Sequence, residues 1–394
     1  MDKFIYFAAA VVALASVMTG CSSTPQKTPE LNQSNVYYDY LQPDFSRYLK
    51  VTEKWLEINR HFISDDHQRE LDMNMPFQLS PETPTKKAIL FVHGLGDSPF
   101  SFSDLAPTMV KLGFHVEVLL LPGHGSKPEE LLLPEYQDWQ TIVDHYASLL
   151  KKNYSEVWLG GFSTGANLVT IHAMDNGGIN GMLLFSPGFQ SKAPFLEKFT
   201  PLAAKVWYGY KTEENNLARY NSAPLNGAVA YVESAAQIRK RLAKQTVNIP
   251  TLIAMSEADS VVDPDATKQL FIDRFVNPEN TMLWYGETRQ SNPQVIQKTM
   301  RIKSDRISTG SHMSPVYSPD NPYYGISGEK RMCKNSFDKK AVAQCSEGEP
   351  VWFSAQGYKE EGKIHARLTW NPYFNHLEKR IEQLVSENTG KAAQ

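Results

Sequence analysis

The stretch "VWLGGFSTGANLVTIHAMD" covers residues 157–175. Its first part is rich in strand formers, its last part is an apolar, helix-like run, and Ser163 stands between them in Gly161-Phe162-Ser163-Thr164-Gly165. A G-x-S-x-G pattern is informative when a strand precedes it and a helix follows, and both conditions are met here. The glycines have a steric reason. A strand-to-helix turn this sharp has no room for side chains beside the serine, and the hydroxyl is left projecting at the end of a sheet. The competing reading is that Ser163 is only a small residue in a tight turn. The rest of the chain must decide between the two.

Outward from this stretch, beginning at Lys86, the sequence alternates between two kinds of segment. "KAILFVHG", "HVEVLLLPGHG", "EVWLGGFSTG", "GMLLFSP" and "PTLIAMSEAD" are short, nearly continuous apolar runs that end in Gly, Pro or Asp. Such runs suit strands covered on both faces of a parallel sheet. Helix-like runs such as "YQDWQTIVDHYASLLKK" lie between them, so the expected fold is α/β, a mostly parallel doubly wound sheet. Residues 190–245 interrupt the rhythm with a long aromatic, helix-rich segment that reads as an inserted helical cap. In open α/β sheets ligands bind at the carboxyl ends of strands, which places any chemistry at the run ends beneath this cap. The expected core is therefore 36–189 and 246–388. An amphipathic helix in "DFSRYLKVTEKWLEINRHF" opens the first part, and a C-terminal helix in "YFNHLEKRIEQLV" closes the second.

If Ser163 attacks a carbonyl, the anionic intermediate needs preorganised N–H donors. In "FVHGLGDSPFSF", Gly94 lets the chain bend so that the Leu95 N–H can face the site. Thr164, at the start of a helix, supplies the second donor. His93 reads as a structural histidine bonding loop backbone. Taken in order, "HG" after a strand, "LPGHG", "GFSTG" and "SEADSVVDP" resemble the α/β-hydrolase superfamily. The similarity is closest to the branch of monoacylglycerol lipases, small bacterial carboxylesterases and serine-aminopeptidase-like hydrolases. It covers roughly Lys86 to His312 and the C-terminal helix. The resemblance implies the chain order serine, acid, histidine, and it places the acid at Asp259, just after "IPTLIAMSEAD". Asp263 is the competitor, although Asp before Pro is a common helix start. For the base, His312 lies in the small-residue loop "STGSHMSP", His365 in a candidate strand and His376 in a candidate helix. His124 is read, with the family, as a loop-shaping residue.

The 394 residues carry a net charge of −3 with no basic run, which argues against nucleic acid as the main partner. "MDKFIYFAAAVVALASVMTGCSS" has a charged start, an apolar run too short to span a bilayer, and small residues before Cys21. "MTGC" resembles a bacterial lipobox, with Met18 where Leu or Val is usual. The resemblance implies a signal peptide over 1–20, lipid attached to Cys21, a flexible tether over 21–35, and residence at the outer membrane facing the periplasm. In that oxidising compartment the other two cysteines, Cys333 and Cys345, are expected to pair. No spacing suggests a metal, and no cofactor is expected. The leading expectation is an ester hydrolase working through an acyl-serine on a monoacylglycerol- or lysophospholipid-like substrate. An aminopeptidase would need an acidic group for the substrate amine, with Glu213, Glu214 and Glu233 as candidates. A non-catalytic envelope binding protein, using the segment after His312 as a partner loop, is the reading from a different class.

Overall fold

Asp44 starts the first helix by accepting the Arg47 N–H, and α1 (Phe45–Asn59) then buries Phe45, Tyr48 and Leu56. The computed structural model describes residues 38–392 apart from residue 337. The expected signal peptide, Cys21 and the tether lie outside these residues. Among the described residues no helix is long and apolar enough to cross a membrane.

The apolar runs form the strands of one eight-stranded sheet. In chain order these are β1 (Phe77–Leu79), β2 (Lys87–Val92), β3 (Phe114–Leu119), β4 (Glu156–Phe162), β5 (Gly181–Phe185), β6 (Thr251–Ser256), β7 (Thr281–Tyr285) and β8 (Val295–Lys298). Their order across the sheet is β1-β3-β2-β4-β5-β6-β7-β8. Every pairing is parallel except that of β1 with β3. The sequence reading did not include β1, β7 or β8.

Alternate residues of β2 feed opposite faces: Ala88, Leu90 and Val92 join one core, and Ile89 and Phe91 the other. The first core is covered by α1, α2 (Tyr136–Asn153) and α3 (Thr164–Asn176). The second is covered by the helix Leu105–Lys111 and by the C-terminal helix, whose Leu377 and Ile381 are fully buried. This is the mostly parallel, doubly wound α/β sheet that the run pattern implies.

Between β5 and β6 the chain leaves the sheet. Two short helices, Pro194–Glu197 and Thr200–Ala204, precede a small antiparallel pair, Gly209–Tyr210 with Ala223–Pro224. The long helix α4 (Leu225–Leu242) then packs on α3. Arg239 ties this region down, donating to the Phe189 carbonyl and pairing with Glu197 at 2.7 Å. The apolar residues Phe195, Phe199, Leu202 and Val206 are 52–78% exposed, so they neither line a chamber nor bury the segment against the core. α5 (Pro264–Arg274) follows β6. Beyond β8 come α6 (Lys339–Ser346), a short parallel pair of β9 (Trp352–Ser354) with β10 (His365–Arg367), and the C-terminal helix α7 (Phe374–Ala392). Cys333 and Cys345 are joined by a disulfide.

The turn from β4 to α3 is the tightest point of the packing. A Cβ on Gly161 would lie 2.5 Å from the backbone of Ala166, and one on Gly165 would lie 2.0 Å from the Val92 carbonyl oxygen. Both neighbours are backbone and cannot rotate away. Gly165→Ala should therefore lower stability by on the order of 3 kcal/mol, because α3 must lift from β2 to admit one methyl. Urea unfolding monitored by tryptophan fluorescence checks this, and an unchanged midpoint would refute the close contact.

Candidate active site

Ser163 sits at the summit of this turn with φ 54° and ψ −114°, a backbone conformation rare for a residue with a side chain. Its hydrogen bonds hold it there. The Ser163 N–H donates to the Phe185 carbonyl at 2.9 Å, and its own carbonyl accepts from Ala166 and Gly188, each at 3.1 Å. Gly94, at the end of β2, passes so close that a Cβ there would lie 3.0 Å from the Ser163 Cβ.

The loop after β6 carries Asp259 and the loop after β8 carries His312. Asp259 is 1% exposed, and its Oδ1 accepts the N–H groups of Val261 at 2.8 Å and Val262 at 3.0 Å. Its Oδ2 lies 2.6 Å from His312 Nδ1, and His312 Nε2 lies 3.0 Å from Ser163 Oγ. These partners assign the tautomer: Nδ1–H donates to the carboxylate, and the Nε2 lone pair faces the serine hydroxyl. Ser186 Oγ donates to the His312 carbonyl at 2.9 Å and fixes the loop.

The other candidates lie elsewhere. Asp263 caps α5, accepting from Asp265 and Ala266 at 3.1 Å. His365 lies in β10, 3.4 Å from Ser308 Oγ, and His376 lies on α7. His93 donates from Nδ1 to the Gly94 carbonyl and accepts the Leu121 N–H at Nε2. His124 accepts the Gly96 N–H at Nε2. Both therefore shape the loops after β2 and β3.

Leu95 and Thr164 line a cavity of about 150 Å³ together with Ser163 and His312. Thr164 is the first residue of α3, where a helix leaves its N–H groups without internal partners. The same cavity has charged walls that sequence reasoning missed: Asp97, Arg219 and Arg367. Arg219 Nε lies 3.5 Å from Asp97 Oδ1, and another of its nitrogens donates to the Met313 sulfur. Burial raises the Asp97 pKa, against the opposing charge of Arg219. Asp97 stands two residues beyond Leu95 and could have been suspected from that position. The two arginines come from the cap and from β10, and no local pattern marks them. None of Glu213, Glu214 and Glu233 lines this cavity. Glu214 accepts the N–H groups of Asn221 and Ser222, and Glu233 accepts from Gln137.

A mostly parallel sheet in this strand order, with a strained serine elbow between β4 and α3, defines an α/β-hydrolase. Residues 83–289 match the family model described as "Serine aminopeptidase, S33", and the chain belongs to that family of hydrolases. A thermostable monoacylglycerol lipase of Bacillus sp. (strain H-257) is 23% identical over 188 residues, which is 46% of this chain and 74% of the lipase. A structure from a study of the metagenome-derived lipolytic enzymes LipS and LipT is 20% identical and has a TM-score of 0.47. It covers 52% of this chain and 86% of its own. A monoacylglycerol lipase of Paleococcus ferrophilus is 18% identical with a TM-score of 0.44, covering 53% of this chain and 88% of its own.

The two loop histidines give the protein an acid sensitivity. Burial holds His124 down to about 4 from the ordinary 6.5, and burial together with the neighbouring His124 holds His93 well below that value. Between about pH 6.5 and 4 the unfolded chain takes up protons that the folded chain refuses. Each histidine then costs roughly 1.4 kcal/mol per pH unit as the pH falls. The thermal midpoint should drop steadily from pH 7 to pH 5, and His124→Gln should flatten that slope. An equally steep slope in the variant would refute the assignment.

Proposed function

We propose that this protein is a serine hydrolase that cleaves carboxylic esters through an acyl-serine intermediate. Its envisaged substrates are monoacylglycerol-like or lysophospholipid-like. The observation that carries the reading is the chain of contacts from Ser163 Oγ through His312 to Asp259, at 3.0 and 2.6 Å.

A serine hydroxyl is a weak nucleophile near neutral pH. As Ser163 Oγ attacks the acyl carbon, His312 Nε2 takes its proton, and Asp259 stabilises the resulting imidazolium and holds its orientation. The carbonyl oxygen becomes an oxyanion that receives the N–H groups of Leu95 and Thr164. Collapse of this intermediate breaks the ester C–O bond, and the departing alcohol takes its proton from His312. Water then attacks the acyl-serine, with its proton going to the same nitrogen, and the carboxylic acid is released.

Peptide cleavage from a free amino terminus is the other chemistry named by the family description. That reaction calls for an unpaired carboxylate to hold an ammonium group. The carboxylate beside the catalytic pair of loops, Asp97, is taken by Arg219. This favours ester cleavage.

The N-terminal residues support a location for this activity. Cys21, after the apolar leader, would carry the lipid that keeps the enzyme at the outer membrane facing the periplasm. The Cys333–Cys345 disulfide suits an oxidising compartment.

Ser163→Ala should reduce hydrolysis of p-nitrophenyl butyrate by about 10³-fold or more, and a fluorophosphonate probe should label Ser163 in the native chain. Equal activity in the two proteins would overturn the nucleophile assignment. Separately, Cys21→Ala expressed in a bacterial host should lose metabolic labelling by palmitate and leave the membrane fraction. Retained labelling would overturn the lipid-anchor proposal.

A further inference from the structure

The cavity above Ser163 is more cationic than acyl-ester chemistry alone requires. Arg219 and Arg367 line it, against the single carboxylate Asp97 outside the His312–Asp259 pair. Arg219 is compensated by Asp97 at 3.5 Å. Arg367 makes no hydrogen bond or ion pair through its guanidinium among the described residues: Asp97 and Tyr324 act on it only at longer range, and its Nε is shielded from solvent without an acceptor. The side chain is partly buried, and a cation at a cavity wall that touches no carboxylate is available to an anionic ligand. Burial and the like charge of Arg219 pull Arg367 down to about 10, so the side chain is cationic near neutral pH.

Arg219 and Arg367 also border a second, larger cavity of about 680 Å³, so the two spaces share a wall. This chamber lies between the cap loop near residues 210–221 and the disulfide-bearing segment. Lys330, Arg331 and Lys334 face it, and Glu213 is its one acidic lining residue. Lys330 Nζ donates to the carbonyl and side chain of Asn215, and Lys334 Nζ donates to Thr212 Oγ1 at 2.9 Å. These are neutral acceptors, and Lys334 Nζ also stands 5.1 Å from the Tyr210 ring centroid, so both lysines are held in place without a carboxylate partner. The Arg367 N–H donates to the Met332 carbonyl at 3.0 Å, which couples β10 to the same wall.

We propose that the substrate carries a carboxylate or phosphate group, bound by Arg367 and Arg219 and drawn in through the basic chamber walled by Lys330, Arg331 and Lys334. This rests on the ester-hydrolase reading and narrows its substrate class to acidic esters, leaving out neutral monoacylglycerols. Guanidinium groups match the paired oxygens of carboxylates and phosphates, and a chamber lined by one sign of charge concentrates ligands of the other. The anionic group stands either on the alcohol side, as in a lysophospholipid headgroup, or on the acyl side, as in a half-ester of a dicarboxylic acid. Both present the same oxygens to the same arginines.

The test compares kcat/KM of the full chain in detergent on two matched pairs of esters. The first pair is 1-acylglycerol 3-phosphate against 1-acylglycerol, and the second is mono-p-nitrophenyl succinate against p-nitrophenyl butyrate. The acidic member of at least one pair should be preferred by about tenfold or more, a factor that one charge-assisted hydrogen bond supplies. Preference in the first pair alone places the anion on the alcohol side, and preference in the second alone places it on the acyl side.

Arg367→Gln should collapse the acidic-to-neutral ratio by about tenfold, and Arg367→Lys should restore part of it. A merely structural arginine would change both members of a pair alike and leave the ratio intact, so an unchanged ratio overturns the proposal. Wild-type turnover of the neutral esters without any acidic preference also overturns it and leaves the ester reading standing. No turnover of any of the four esters removes the ester reading and this inference together.

Discussion

A single strained residue organises the carboxyl end of the sheet. Holding Ser163 at φ 54° costs about 1–3 kcal/mol, and the conformation persists because its surroundings leave no alternative. The Phe185 carbonyl takes its N–H, the Gly188 and Ala166 amides take its carbonyl, and Gly161 and Gly165 lie against backbone on both sides. Two of those hydrogen-bonding partners come from the end of β5 and the loop that follows, so the strand neighbouring β4 helps to fix the turn. The same strand end supplies Ser186, whose hydroxyl holds the His312 carbonyl. The position of the hydroxyl and that of the imidazole are thus set by one piece of backbone, and their 3.0 Å separation follows from it.

The N-terminal residues before the sheet brace the loops around this turn. Tyr48 Oη donates to the Leu120 carbonyl and accepts the Leu120 N–H, which anchors α1 at the carboxyl end of β3. Arg60 pairs with the fully buried Glu70 at 2.7 Å and donates to the carbonyls of Gly125 and Leu217. Glu70 is itself saturated by the N–H groups of Ile63 and Ser64 and by the Ser64 hydroxyl. A buried ion pair stabilises only when its remaining hydrogen-bonding capacity is met, and this one meets it. It joins the N-terminal segment, the loop containing His124 and the base of the cap at one point. His124 then passes the constraint to the Gly96 amide, one residue from Leu95.

The parts legible in the sequence were those whose physics is local. Continuous apolar runs gave the buried parallel strands, and the glycines around Ser163 gave the turn. Asp263 before Pro264 gave the cap of α5, which left Asp259 to take the Val261 and Val262 amides and face His312. β8 escaped notice because three of its four residues are only partly buried, so it lacks the apolar continuity of its neighbours. Within the aromatic cap segment Phe195, Phe199 and Trp207 are 61%, 52% and 40% exposed, because composition does not say which side of a short helix is covered. Arg219 and Arg367 were invisible for another reason. Each is ordinary within its own segment, and only the return of the chain after β8 brings them together.

That return carries both His312 and the cations proposed to choose the substrate. The family match ends at residue 289, and His312, Arg367 and the three cations of the 330–334 wall all follow it in the chain. Arg219 lines the cavity that holds Ser163 and is compensated by Asp97, so its charge alone does not select an acidic ester. Lys330, Arg331 and Lys334 line the second chamber and not the cavity that holds Ser163, so in the proposed reaction their influence falls on charge the substrate already bears. In the proposed reaction, the elbow and the His312–Asp259 pair set what bond is broken, while Arg367 and the 330–334 wall set which molecule arrives. The Cys333–Cys345 bridge stiffens the wall that carries those cations. Preorganising charges in this way matters most where their like-charge repulsion would otherwise spread them apart.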